Sequence, residues 1–208
     1  MGRLYVARHG QAIEPGDLRL PGADAALLEP GVAQARALAE RLRTLGPVPV
    51  YASDAARAWQ TATVVAERCA VPLTALSALR EIDFGAWGGR TYAEVVAADS
   101  TAADYFADPT ASAPPDGERA DEAADRVFGA LRTLAESHRE GAVVVGHTGS
   151  LRLALARALG MPLAAYWRLR LDHASLTILD WSENGVILQR LNDVSHLREH
   201  YSATEANA

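Results

Sequence analysis

Two histidines and two arginines stand in this chain beside residues that free them for chemistry. Arg8-His9-Gly10 sets an arginine and a histidine before a glycine. Ser53-Asp54-Ala55-Ala56-Arg57 supplies a second arginine, and His147-Thr148-Gly149-Ser150 a second histidine followed by small residues. Arginine offers a planar fork of N–H donors that matches the oxygens of a carboxylate or phosphate. Histidine can be donor, acceptor, base or nucleophile near neutral pH. Glycine permits close backbone approach to a bound group. Together these groups suit an oxyanion of high charge, such as phosphate. A lone histidine after a strand is usually structural, so the weight rests on the segments sharing one address.

That address follows from the elements around them. Leu4 to Arg8 is a β-rich run ended by Gly10, and reads as a first strand. Residues 11–28 are a loop rich in Gly, Pro and Asp. Glu29-Pro30-Gly31 opens an amphipathic helix with Val32, Ala35, Leu38, Ala39 and Leu42 at helical spacing, stopped by Gly46-Pro47. Val48 to Ala52 predicts a second strand, and Ser53 or Asp54 an N-cap for a helix to about Cys69. Val71 to Leu76 predicts a third strand at an edge. Ala142 to Gly146 is almost wholly apolar and belongs at the sheet centre, with a helix after it ending near Gly160. Ala174 to Trp181 and Val186 to Leu191 predict a hairpin through Ser182-Glu183-Asn184-Gly185.

Residues 80–115 break this rhythm. They carry Trp87, Tyr92, Tyr105 and Phe106, which either pack a core or line a pocket. The segment reads as a helical insertion, closed by Ala113-Pro114-Pro115-Asp116-Gly117, with Asp116 as the cap of a long helix to about His138. The expected fold is α/β: a single domain over residues 1–208, three-layer α/β/α, with a mainly parallel central sheet and the insertion over the active site. Ligands of such sheets bind beyond the carboxyl ends of the strands. His9, Arg57 and His147 all follow strands and point to one crevice.

Composition narrows the partners. The net charge is −6 and the isoelectric point about 5.5, which argues against nucleic acid or an anionic membrane surface. The chain contains no lysine, which excludes Schiff-base chemistry and a P-loop lysine. Cys69 is the only cysteine, so no internal disulfide or thiolate cluster forms; it reads as packing on an apolar helix face. No apolar run reaches the length of a membrane span, and the N-terminal strand is too short for a signal-peptide core. A cytoplasmic location is the expectation. His138, His196 and His200 read as surface or packing residues, and His173, in Asp172-His173-Ala174-Ser175, could face the site but is not assigned to it.

The ordered motifs resemble one family. They are Arg8-His9-Gly10, Gly31-Val32-Ala33-Gln34-Ala35, Ser53-Asp54 followed by Arg57-Ala58-Trp59-Gln60-Thr61-Ala62, Leu79 to Trp87, Asp116-Gly117-Glu118, and Val143 to Gly149. This set resembles the histidine phosphatase superfamily, the phosphoglycerate-mutase-like group. The Glu81 to Trp87 segment and the ending from Leu191 to Leu197 resemble its broad-specificity and α-ribazole phosphatase branch. The resemblance implies that His9 attacks phosphorus and becomes phosphohistidine. It implies that Arg8, Arg57 and His147 hold the phosphoryl oxygens, with Thr148 beside them. It implies that Glu81 protonates the leaving oxygen and then activates water, although Asp83 is a carboxylate close by, and that no metal or cofactor is required. In much of the family an acidic residue, a threonine and later an asparagine follow Arg-His-Gly; here Gln11, Ala12 and Pro15 stand in those places. Gln11 is the candidate to replace part of the asparagine's phosphate contact. Arg19-Leu20-Pro21-Gly22 keeps only part of the family's loop pattern.

The implied activity is hydrolysis of a small phosphomonoester. A cofactor-dependent phosphoglycerate mutase and a protein-phosphohistidine phosphatase are the enzymatic alternatives, and a non-enzymatic sensor of a phosphorylated ligand is the alternative from another class. A homodimer is the default expectation for assembly.

Overall fold

The computed structural model describes residues 2–14, 19–20, 25–46 and 48–197. Pro15, Pro21, Gly22, Pro47 and His200 lie outside the described residues. The strands are β1 (Arg3–Arg8), β2 (Val50–Ala52), β3 (Leu73–Ala75), β4 (Ala142–Gly146), β5 (Leu176–Ser182) and β6 (Gly185–Asp193). The α-helices are α1 (Glu29–Arg43), α2 (Ala56–Cys69), α3 (Tyr92–Ala98), α4 (Ala102–Ala107), α5 (Ala120–Ser137) and α6 (Thr148–Ala158). Strand order is β3-β2-β4-β1-β5-β6. Neighbours from β3 to β1 run parallel, while β5 and β6 are antiparallel additions. The sheet is therefore mixed, with β3 at an edge and β4 inside, as the sequence implies.

The apolar pattern explains the layers. Alternating residues of β1 and β4 face opposite sides. Leu4, Val6, Ala142 and Val144 pack with Val127, Leu131, Leu151 and Leu155 of α5 and α6. Tyr5, Ala7, Val143 and Val145 pack with Leu38, Leu42, Ala62 and Val65 of α1 and α2. Burying both faces is why β4 reads as a continuous apolar run. No helix among the described residues is long and apolar enough to cross a membrane.

Two caps differ from expectation. Ala55, not Ser53 or Asp54, occupies the N-cap position of α2 and makes no side-chain cap bond. Ser53 instead accepts from the Ala55 N–H and turns its hydroxyl to His147, while Asp54 pairs with Arg80. The polar residues expected to cap the helix are taken by tertiary partners. Asp116 does not cap α5 either: it adopts a φ of 56° in the turn ahead of it. The helix starts at Ala120, and Glu122 reaches back to accept from the Arg119 N–H at 3.1 Å.

The insertion has its own core. Trp87, Val95, Ala102 and Tyr105 are buried together, with Leu20, Phe84 and Phe106 against them. Trp87 and Phe106 stack, and Tyr105 meets both edge-on. An antiparallel bridge joins Arg19 to Thr91, while Leu20 donates to Arg90 O and accepts from Gly89 N. The insertion is thereby tied to Arg19 and Leu20.

Candidate active site

The parallel strands end together. His9 N–H donates to Gly146 O at 3.0 Å, and Ser53 N–H to Val145 O at 3.0 Å, so the residues leaving β1, β2 and β4 converge. The turn after β1 is pressed against the start of α1. A Cβ on Gly31 would fall 2.0 Å from Gln11 O, and one on Gly10 2.4 Å from Gly31 O. Only glycine allows that approach, and Gln34 Oε1 secures it by accepting from Gln11 N–H. Thr61 completes the clamp: its hydroxyl accepts from Gly10 N–H and donates to Arg57 O. The Gly31–Gln34 and Arg57–Thr61 motifs thus serve to hold Arg8-His9-Gly10 in place.

His9 is 7% exposed. Its Nδ1 lies 2.7 Å from Gly10 O, and Arg57 Nε–H donates to its Nε2 at 3.1 Å. A carbonyl accepts only a proton and an arginine only donates, so these partners place the ring proton on Nδ1 and leave the lone pair on Nε2. Burial, then Arg8, His147 and Arg57, hold the pKa of His9 well below 6.5, and the ring is neutral. His147 is fully buried, with its ring centroid 5.1 Å from that of His9. Its Nε2 hydrogen-bonds with the Ser53 hydroxyl at 2.9 Å, while its Nδ1 is buried without a protein partner. Burial brings its pKa down to about 4, against the opposing pull of Glu81. Arg8 Nε and Thr148 Oγ1 are likewise buried without a protein partner. Burial lowers the Arg8 pKa to about 10, which leaves the guanidinium charged at neutral pH.

Glu81 sits at the N-terminus of α6. Its carboxylate accepts from Gly149 N–H, Ser150 N–H and its neighbour Ile82 N–H at 2.6–3.0 Å. Burial raises its pKa, but His147 and these N–H donors outweigh that and bring it below 4.5. The stretch carrying Glu81 is braced by Arg126, which donates to Ala78 O and Arg80 O and pairs with Glu118. Glu118 N–H in turn donates to Asp83 O. The Asp116-Gly117-Glu118 motif therefore positions Glu81. Asp83, the competing carboxylate, is exposed and accepts from Gly85 N–H.

A cavity of about 260 Å³ brings Arg8, His9, Arg57, Glu81 and Thr148 together. His147 is not among the described residues lining it, although its ring centroid is 5.1 Å from that of His9. Gln11 is not among the described residues lining it: its amide donates to Ile13 O at 3.2 Å. The insertion's aromatics Trp87, Tyr92, Tyr105 and Phe106 are absent from that lining as well: Trp87 and Tyr105 are buried with Phe106 against them, while Tyr92 is exposed and meets Phe106 edge-on. Arg19 and Leu20 do line the cavity, with Ala12, Ile13, Ala25, Gly89 and His173. His173 is the residue that sequence reasoning left aside. β5 runs antiparallel to β1, so the residues before β5, not after it, reach the carboxyl edge of the parallel strands. The signal was available in the hairpin pattern, but the direction of the hairpin against β1 was not.

Comparison with known proteins agrees with this geometry. The family model described as "Histidine phosphatase superfamily (branch 1)" matches residues 4–194. The chain is 32% identical to a Proteus mirabilis protein named "Probable phosphoglycerate mutase GpmB", over 96% of both chains. It superposes on Bacillus stearothermophilus YhfR with a TM-score of 0.87 and 29% identity, covering 95% of this chain and 100% of that one. A mycobacterial glucosyl-3-phosphoglycerate phosphatase gives a TM-score of 0.81 at 29% identity, covering 92% of this chain and 98% of the other. With the convergent histidines, arginines and glutamate in place and the match running nearly end to end, the chain belongs to branch 1 of the histidine phosphatase superfamily.

Proposed function

We propose that the protein hydrolyses phosphomonoesters of small metabolites through a phosphohistidine at His9. The observation that carries this reading is a set of unpartnered polar atoms on residues near His9. Arg8 Nε, His147 Nδ1 and Thr148 Oγ1 are buried polar atoms without protein partners, beside a cavity that Arg57 also lines. Buried polar groups normally have partners, and a bound phosphoryl group would supply them here. In the first step Nε2 of His9 attacks phosphorus in line, the P–O bond to the leaving group breaks, and Glu81 gives that oxygen its proton. In the second, Glu81 takes a proton from water, the water oxygen attacks phosphorus, and the P–N bond breaks to release phosphate. Arg8, Arg57, His147 and Thr148 hold the phosphoryl oxygens and offset their charge. Gln11, whose amide donates to Ile13 O, is given no phosphate contact in this reading.

The size and cover of the cavity favour a small molecule over a phosphorylated protein. At about 260 Å³ it lies near the low end of ligand pockets, roughly 300–1,000 Å³. The Arg19–Leu20 strip and Gly89 are hydrogen-bonded to each other along its rim. Phosphoglycerate mutation is the second reading, favoured by the names of the curated relatives. The test is phosphate release from p-nitrophenyl phosphate and a panel of phosphomonoesters, measured against isomerisation of phosphoglycerate. Release is expected to dominate, His9→Ala to abolish it, and acid-labile phosphate to be trapped on His9. Isomerisation outpacing release assigns the mutase instead.

A further inference from the structure

We propose that His173 is a positioning residue for phosphoryl binding: it orients the Arg8 guanidinium through a neutral acceptor nitrogen and so leaves the arginine's charge for the anion. This rests on the phosphatase reading of the same cavity. Arg8 NH2 donates to His173 Nε2 at 2.7 Å and Arg8 NH1 to Leu171 O at 2.8 Å, while Arg8 Nε has no protein partner. The two bonds fix the plane of the fork and leave Nε unsatisfied beside His9. The His173 ring lines the cavity, with its centroid 5.9 Å from that of His9.

The loop carrying His173 is built to hold it still. Asp172 N–H donates to Asn192 Oδ1 at 2.7 Å, and Asn192 Nδ2 returns a bond to Asp172 Oδ2 at 2.9 Å. Ala174 takes a φ of 51° and donates its N–H to His9 O at 3.1 Å. The nucleophile and the arginine's anchor are thus strapped to one another through the backbone.

The chemical type of the anchor matters. Buried arginines are commonly held by carboxylates, which cancel the guanidinium charge and compete with an incoming anion. Here Asp172, next to His173 in the chain, is engaged by Arg170 and Asn192, and Glu81, the other carboxylate acting on Arg8, accepts from the N–H groups that open α6. Because arginine only donates, His173 Nε2 carries no proton and the ring proton is on Nδ1. Burial and the adjacent Arg8 depress the ring's pKa to about 3, so the anchor stays neutral across the working range.

The test is a series at residue 173, read by calorimetric binding of inorganic phosphate and by orthovanadate inhibition. His173→Phe keeps a ring and removes the acceptor, His173→Gln keeps a neutral acceptor, and His173→Glu supplies a charged one. His173→Phe and His173→Glu are expected to weaken phosphate and vanadate binding about tenfold or more, and kcat/KM in parallel, with His173→Gln within about threefold of wild type. Phe indistinguishable from wild type overturns the proposal, and so does Gln impaired as much as Phe, which would mean ring packing alone. If Phe does not fold, the Gln and Glu pair decides: equal affinities overturn it. A wild type that binds phosphate without hydrolysing esters overturns the hydrolase reading and leaves the binding series to judge His173.

Discussion

Arg57 donates its Nε–H to Nε2 of His9 at 3.1 Å, on the same ring whose other nitrogen faces Gly10 O. One arginine therefore meets both the nitrogen proposed to attack phosphorus and the cavity in which the phosphoryl group would sit. Replacing it removes both charge and alignment. Arg57→Ala is expected to lower kcat/KM for p-nitrophenyl phosphate by about 10²–10³-fold. Arg57→Lys should recover only a small part, because a point charge cannot reproduce the fork. Steady-state kinetics of the two variants check this; equal activity of Lys and wild type refutes the alignment role.

Glu81→Gln separates the two half-reactions. Glutamine preserves the shape of the carboxylate but neither gives nor takes the proton. With p-nitrophenyl phosphate, whose leaving group needs little protonation, the first step should survive. Release of phosphate from His9 should slow by about 10²–10⁴-fold. Rapid-quench measurement is expected to show a burst of p-nitrophenol and accumulated phosphoenzyme. A variant that turns over without a burst would remove Glu81 from the water step.

The pH profile should be shifted toward acid. Attack needs neutral His9, and burial with Arg8, His147 and Arg57 keeps it so well below pH 6.5. The first step needs protonated Glu81, whose pKa is below 4.5 in the free protein, so its protonated fraction grows as pH falls. With an alkyl phosphate, kcat/KM is expected to hold or rise from about pH 8 to about pH 5.5, where an ordinary histidine, pKa ~6.5, would already be charging. Loss of activity centred near 6.5 on the acid side would contradict the neutral ring.

Two glycines make opposite predictions for stability. A Cβ on Gly31 would lie 2.0 Å from Gln11 O, so Gly31→Ala should destabilise by about 1–3 kcal/mol and impair activity by shifting the His9 turn. At Gly129, inside α5, an added Cβ would meet nothing within 4 Å. Gly129→Ala should stabilise by about 0.5–1 kcal/mol with activity unchanged. Urea unfolding midpoints of both variants decide.

Much of the molecule was legible from residue order alone. Period-3.6 apolar spacing marked α1 and α2, the unbroken apolar run marked β4 as an interior strand, and the hairpin of β5 and β6 followed from its turn. These depend on local geometry and on which faces must leave water, both written into neighbouring residues. The convergence of Arg8, His9, Arg57 and His147 was legible too, because parallel strands deliver their carboxyl ends to one edge. What tertiary structure decided was the partner of each polar group. Ser53 could cap a helix or meet a histidine, and His147 took it. Gln11 could face phosphate or its own loop, and its amide meets Ile13 O of the loop. Glu81 and Asp83 were equal by type and only the family resemblance favoured Glu81; the N–H groups at the start of α6 hold Glu81, while Asp83 is exposed. His173 entered the site because β5 runs against β1, a pairing between residues more than 160 positions apart. Polar side chains choose among partners within a few ångströms, and which partners are that close is set by packing of the whole chain.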